Sequence, residues 1–234
     1  MRLKFIMALT RHFPNLLTLS NLLCGCIGIL MAREFPLYTP AYFVWLACVF
    51  DFFDGFAARS LKVHSVIGKE LDSLADMVSF GVLPSVVMFT WLENSAPESY
   101  IPYIAFLIAL FSALRLAKFN VDENQTDSFI GLPTPANALF ITGLVFLSAP
   151  FNFITSSTAG LVAVSIIFSL LLVAPLNLFA LKFKNFSWAD NKLKFTFIGL
   201  SVLLLGWKKA EAVPLIILLY IILSFATGVF TRKK

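Results

Sequence analysis

Apolar residues run along this chain in long unbroken stretches, at about residues 15–32, 36–58, 71–92, 100–119, 134–154, 158–181, 195–207 and 212–230, each bounded by charge, Pro or Asn. Stretches such as Ser201-Val-Leu-Leu-Leu-Gly206 show no alternation of period two, so barrel strands are excluded. Lipid cannot satisfy open backbone groups, and the element left is the helix. The pattern predicts about eight transmembrane helices in a single domain, residues 1–234. The seventh run, Phe195 to Trp207, is the shortest at 13 residues.

Composition sharpens this picture. The chain has 234 residues, is 59% hydrophobic and 13% charged, and has a mean hydropathy of +0.87. Soluble domains are about 45–50% apolar and about 25% charged, so a water-soluble globule, a disordered chain, a coiled coil and a nucleic-acid-binding domain are all excluded. The length leaves no room for a second, soluble domain. The basic, then apolar, N-terminus has a long apolar stretch with no small-x-small site to close it. It reads as an uncleaved first helix rather than a secretory signal. Cys24, Cys26 and Cys48 lie in the first two spans and are odd in number, so they imply packing rather than a disulfide framework.

Loop charge gives the predicted topology. With the N-terminus in the cytoplasm, the inner group holds Arg2, Lys4, Arg11, Arg59, Lys62, Lys69, Arg115, Lys118, Lys182, Lys184, Lys192, Lys194, Arg232, Lys233 and Lys234. Only Arg33, Lys208 and Lys209 fall outside. Cytoplasmic loops carry the excess of Lys and Arg, so this split predicts an even number of spans with both termini inside. The net charge of +5 then reflects topology and anionic headgroups, not nucleic acid.

Glu34, Glu93, Glu98 and Glu211 fall outside, and the other nine of the 13 acids are cytoplasmic. Four of those nine are out of place in a greasy chain. Asp51 and Asp54 lie within the second apolar run, in Val49-Phe-Asp-Phe-Phe-Asp-Gly55, and Asp72 and Asp76 open the third, in Leu71-Asp-Ser-Leu-Ala-Asp-Met77. At about 100° per residue, Asp54 lies about −60° from Asp51, with Gly55, Ala58 and Arg59 in the same stripe. Relative to Asp72, Gly68 lies at about −40°, Asp76 at about +40° and Ser79 at about −20°. Each helix therefore presents a carboxylate pair flanked by small residues, and consecutive antiparallel helices let the two faces meet.

Two unit charges about 4 Å apart repel by about 4 kcal/mol even at an effective dielectric of 20, so such a cluster needs protons or a cation. The only histidines are His12 and His64, and no cysteine lies near the cluster. An all-oxygen site selects a hard ion such as Mg²⁺, Mn²⁺ or Ca²⁺ over Zn²⁺. Carboxylate-held metals are suited to phosphate–oxygen displacement. Gly55, Ala58 and Gly68 leave space against the helix backbone, and Arg59 can pair with a phosphate there.

Residues 51–76 read D-x-x-D-G-x-x-A-R-x(8)-G-x-x-x-D-x-x-x-D, with Asp51, Asp54, Gly55, Ala58, Arg59, Gly68, Asp72 and Asp76 at the fixed positions. This resembles the defining motif of the CDP-alcohol phosphatidyltransferases. Further segments resemble the CDP-diacylglycerol–serine O-phosphatidyltransferases: Pro14-Asn-Leu-Leu-Thr18 with Asn21, Gly68-Lys-Glu-Leu-Asp-Ser-Leu-Ala-Asp76, Val78-Ser-Phe-Gly-Val82, Arg115-Leu-Ala-Lys-Phe-Asn120 and Phe129-Ile-Gly-Leu-Pro-Thr-Pro-Ala136. The resemblance covers about residues 14–180, a six-helix core, and leaves 181–234 as two additional C-terminal helices.

What the resemblance implies is attack of an alcohol, here L-serine, on the β-phosphorus of CDP-diacylglycerol, with CMP leaving. It implies divalent metal, Mg²⁺ or Mn²⁺, on Asp51, Asp54, Asp72 and Asp76, with Asp76 also as general base. It implies nucleotide approach at Gly55, Ala58 and Gly68, with Arg59 on a phosphate. It implies a homodimer in the inner cell membrane whose site faces the cytoplasm.

Other roles stay open. Thr18 and Asn21 read either as contacts to the nucleotide phosphates or as hydrogen bonds between helices. Arg115 and Lys118 read either as partners of the serine carboxylate or as ordinary interfacial cations. Asn120 is a polar contact or a helix end, and Gly131-Leu-Pro-Thr-Pro135 shapes an acceptor pocket or starts the fifth span. Glycerol-3-phosphate or inositol phosphate would be rival acceptors and would want more cations at the pocket. A cation-coupled transporter is the rival from another class, but it would put acids near the midplane and break helices in both halves. An intramembrane aspartyl protease needs only a dyad.

Overall fold

The computed structural model describes residues 2–63, 65–121, 128–179, 181, 185 and 187–231. His64 and the predicted inner cations Lys182, Lys184, Arg232, Lys233 and Lys234 lie outside the described residues. The described residues form nine α-helices: α1 (Arg2–Glu34), α2 (Tyr38–Ser60), α3 (Val66–Asp76), α4 (Leu83–Ser95), α5 (Leu107–Val121), α6 (Thr134–Gly143), α7 (Thr158–Val173), α8 (Trp188–Lys208) and α9 (Ala212–Thr231). A π-turn, Met77–Val82, joins α3 to α4 in one rod, and a 3-10 stretch, Ile101–Phe106, leads into α5. The rods correspond one to one with the eight apolar runs.

Five segments are long and apolar enough to cross a membrane: His12–Glu34, Tyr38–Ser60, Val66–Ser95, Ile101–Val121 and Asp190–Ala226. The chain is an all-α polytopic membrane protein. The last segment is a hairpin of α8 and α9 rather than one rod. It turns at Lys209 (φ 51°, ψ −123°), and Phe197 and Tyr220, about equidistant from that turn, meet with ring centroids 5.9 Å apart. Its outer face is apolar and exposed, as at Leu203 (70%) and Trp207 (74%), the reverse of a water-soluble surface.

Several predicted boundaries are corrected. The sixth run does not stay helical to 181. Pro175 drives Ala174 into extended backbone (ψ 143°), α7 stops at Val173, and Asn177–Phe179 becomes a strand. That strand (β2) pairs antiparallel with β1 (Ser128–Ile130), the one sheet among the described residues. The fifth run ends as helix at Phe146, short of Pro150. The seventh helix is longer than predicted, running from Trp188 to Lys208 with a kink at Asn191 (φ −122°).

The π-turn also has a local cause. Pro84 has no N–H to give the Phe80 carbonyl, and the widened turn just before it absorbs the missing bond. Phe80, Leu83 and Val87 are fully buried here and pack with Val44 and Ala47 of α2. A second core joins α4 to α9, including Phe140 stacked on Phe168 at 3.7 Å.

The bundle has two chemically distinct ends. At one, Arg33 in the last turn of α1 meets Glu93 of α4 at 3.7 Å, Thr158 bonds to Ser95, and Ser148 donates to Glu211, which also pairs with Lys208. At the other lie the end of α2, the start of α3, the end of α5 and the β1–β2 ladder. Lys69 donates to the Asn120 carbonyl (2.9 Å) and the Asn120 amide to Ser73 (2.8 Å). The cations predicted outside thus share one end with Glu93 and Glu211.

Candidate active site

Asp51 and Asp54 sit on the last turns of α2, and Asp72 and Asp76 on α3. Ser65 starts α3 in extended backbone, and its hydroxyl accepts the Gly68 N–H at 2.9 Å, an N-cap that fixes where the second pair begins. One carboxylate oxygen each of Asp51, Asp72 and Asp76 lies within 4.8 Å of the others. Oxygens on opposite sides of one ion, at about 2.1–2.4 Å from it, are themselves about 4.2–4.8 Å apart, so the three fit a single hard cation. The oxygen-only donor set and the buried, unpartnered Asp72 Oδ1 fit the same group.

Asp54 is not in this triad. It is 6% exposed, and its carboxylate accepts the Thr18 hydroxyl at 2.7 Å. The 60° separation of the α2 pair explains the split. Asp51 faces α3 while Asp54 faces α1.

Asp76 is 8% exposed and takes the Asn21 side-chain amide at 3.2 Å, while Ser79 of the π-turn donates to the Asn21 carbonyl at 2.9 Å. Gly25, one turn on in α1, permits this approach. A Cβ there would lie 2.5 Å from Ser79 Oγ and 3.0 Å from its Cα. Asn21 therefore meets the cluster from beneath. The roles of Ser79 and Gly25 in this contact are not legible from the motif.

A cleft of about 690 Å³ opens beside the cluster, walled by Thr18 of α1, Asp54, Gly55 and Ala58 of α2, and Gly68 and Asp72 of α3. Asp72 belongs to both cleft and cluster. The Arg59 guanidinium folds back over Gly55, where a Cβ would meet Nη1 at 3.3 Å. A Cβ at Gly68 would meet Ser65 Oγ at 2.9 Å and Asn15 Oδ1 at 3.3 Å, so the small residue there serves the close approach of α3 to α1.

A second pocket of about 640 Å³ is lined by Arg115, Lys118, Ile130 and Pro175. Arg115 is 7% exposed, donates to Thr134 Oγ1 at 3.3 Å, and keeps a buried Nε with no partner. Lys118 is exposed, and Asn120 is engaged with Ser73 and Lys69. Ser112 and Asn137 also have fully buried, unpartnered side-chain groups, which the sequence reading missed. An amide inside the apolar stretch of α6 was the available signal.

A carboxylate triad at the ends of apolar helices, beside a cleft with the Arg59 guanidinium folded over Gly55, suits the transfer of a phosphorylated group. The family comparison agrees. Residues 11–174 match the CDP-alcohol phosphatidyltransferase model, and the chain belongs to that family. It is similar to a CDP-diacylglycerol–serine O-phosphatidyltransferase of Helicobacter pylori (strain J99), 31% identical over 225 residues, covering 95% of this chain and 93% of the relative. It is also similar to enzymes of that name from Bacillus subtilis (36% over 145 residues, 60% and 77% covered) and Methanocaldococcus jannaschii (35% over 150 residues, 63% and 68%).

Proposed function

We propose that this chain transfers the phosphatidyl group of CDP-diacylglycerol to the hydroxyl of L-serine, giving phosphatidylserine and CMP. The observation that carries the reading is the gathering of Asp51, Asp72 and Asp76 at the edge of the cleft. In this reading the serine Oγ–phosphorus bond forms as the phosphoanhydride bond to CMP breaks, and CMP leaves with the electron pair. Serine hydroxyl is a weak nucleophile, and Asp76, beside the cleft and fixed by Asn21, takes its proton. Arg59 pairs with a phosphate over Gly55, while Ala58 and Gly68 leave room for the nucleotide. Thr18 holds Asp54 at the cleft wall.

Mg²⁺ or Mn²⁺, held by Asp51, Asp72 and Asp76 with Asp54 alongside, would neutralise the pyrophosphate and the departing CMP. Arg115, with its spare Nε, receives the serine carboxylate in the second pocket, and Lys118 stands at its rim. We further place the site at the cytoplasmic face of the inner cell membrane. Eight spans would leave both termini inside, with residues 14–180 as the catalytic core of a homodimer. The segregation of Arg33, Lys208 and Lys209 from the other cations supports this orientation.

The test is purified protein with CDP-diacylglycerol, Mn²⁺ or Mg²⁺, and a panel of alcohols. The expected result is phosphatidylserine and CMP with serine, and none in chelator. Lipid product from glycerol-3-phosphate or inositol phosphate instead would overturn the acceptor assignment. Full activity in chelator would overturn the metal.

A further inference from the structure

The C-terminal hairpin of α8 and α9 lies outside the family-matched segment, 11–174, yet α9 packs against β2, which begins two residues beyond the pocket-lining Pro175. The Tyr220 hydroxyl on α9 donates to the carbonyl of Phe179 in β2 at 2.9 Å. The side chain is 7% exposed, and its ring packs on those of Phe179 (4.9 Å) and Phe197 (5.9 Å). β2 is paired with β1, and the chain after β1 is stitched to the end of α7: Gly131 N–H to the Leu176 carbonyl and Leu132 N–H to that of Leu171, both 2.9 Å. Gly131 sits at φ 79°, and a Cβ there would run into the Leu172 carbonyl oxygen, so this segment has one tight path. Three residues on, Thr134 starts α6 and accepts the bond from Arg115. α9 braces α6 a second time where Gly143 meets Pro214, with 2.8 Å left for a Cβ. Ile130 and Pro175, at the two ends of the stitched segments, line the pocket that holds Arg115.

We propose that Tyr220 is a positioning residue for acceptor recognition. It anchors the β1–β2 ladder, which contributes Ile130 to the pocket wall and sets Thr134, and through Thr134 the orientation of Arg115. This rests on the reading of Arg115 as the partner of the acceptor carboxylate. The phenol does not touch the reacting atoms. Its loss leaves a buried carbonyl without a donor, so the ladder loosens on the acceptor side while the nucleotide cleft between α1, α2 and α3 stays intact.

The experiment uses the full chain in detergent or nanodiscs, with Tyr220→Phe, Thr134→Val and the double variant. Initial rates are measured against acceptor and against CDP-diacylglycerol. Tyr220→Phe is expected to raise the KM for acceptor about tenfold, with the KM for CDP-diacylglycerol within about twofold of wild type. Thr134→Val should do the same, and the double variant should remain near tenfold rather than reach about a hundredfold, because the two act through one path. An unchanged acceptor KM in Tyr220→Phe, equal rises in both KM values, or full additivity would overturn the proposal. If the wild type uses another alcohol, the serine assignment fails by itself, and the same KM comparison with that alcohol still decides the role of Tyr220.

Discussion

Replacing Asp72 by Asn separates a metal-holding cluster from a merely acidic one by the sign of a stability change. Asp72 Oδ1 is buried and has no hydrogen-bond partner, so the isosteric amide forfeits no bond at that atom. Like charges no more than 4.8 Å apart repel by about 3.5 kcal/mol or more at an effective dielectric of 20, and Asp72 takes part in two of the three pairs, about 7 kcal/mol before screening. Asp51 and Asp72 are half-buried, and solvent screening cuts this to about 1–2 kcal/mol. A chain of this size shifts by about 2–4 °C per kcal/mol, so in chelator Asp72→Asn should melt about 2–8 °C above wild type. Cation binding reverses the order. At about a hundred times its Kd, a bound ion adds about 2.7 kcal/mol, or about 5–10 °C, to wild type and little to the variant. The assay is a thermal melt of both proteins in detergent, in chelator and in Mn²⁺, alongside CMP release. A wild-type midpoint that ignores Mn²⁺ would refute the reasoning. So would an Asp72→Asn protein that melts lower in chelator and keeps the full metal shift.

Gly25→Ala should lower the melting midpoint by the equivalent of about 1–3 kcal/mol, because the new methyl meets the Ser79 backbone, and CMP release should fall as Asn21 is pushed off Asp76. A wild-type melt would show that α1 and the π-turn are not in this contact. Asn120→Ala distinguishes two roles. If its amide only ties α5 to Ser73, the melt falls by about 0.5–1.5 kcal/mol with acceptor KM unchanged, whereas an acceptor contact raises that KM with the melt unmoved.

The eight rods were legible because twenty or so apolar residues between polar breaks have few other uses, and because the motif spacing puts Asp51 and Asp72 on faces that can meet. What escaped notice depends on groups distant in sequence. Nothing local marks Asn177–Phe179 as a strand, since its partner is about fifty residues earlier and only Pro175 signals the end of α7. The π-turn was equally hidden, although Pro84 was its visible cause. The split of Asp54 from the other three depends on where α1 and α3 pack. A 60° step on the helix wheel keeps the two carboxylates in one stripe, yet it is enough to send them toward different neighbours.

The same contrast explains which site residues announced themselves. A carboxylate in an apolar span costs several kcal/mol unless something offsets it, so each Asp in such a span stands out as a functional candidate. An amide or hydroxyl in a span costs far less, because a helix carbonyl one turn back is always within reach, as Ser165, Ser169 and Ser224 show by bonding to their own helices. Thr18, Asn21 and Ser79 are of this inexpensive kind, and each is turned across to another helix at the cluster. Tyr220 belongs with them. In the sequence it is one aromatic in an apolar helix, and only its bond to Phe179 ties it to the pocket around Arg115. The acids thus mark where chemistry is placed, while the groups that aim them are visible only once the helices have met.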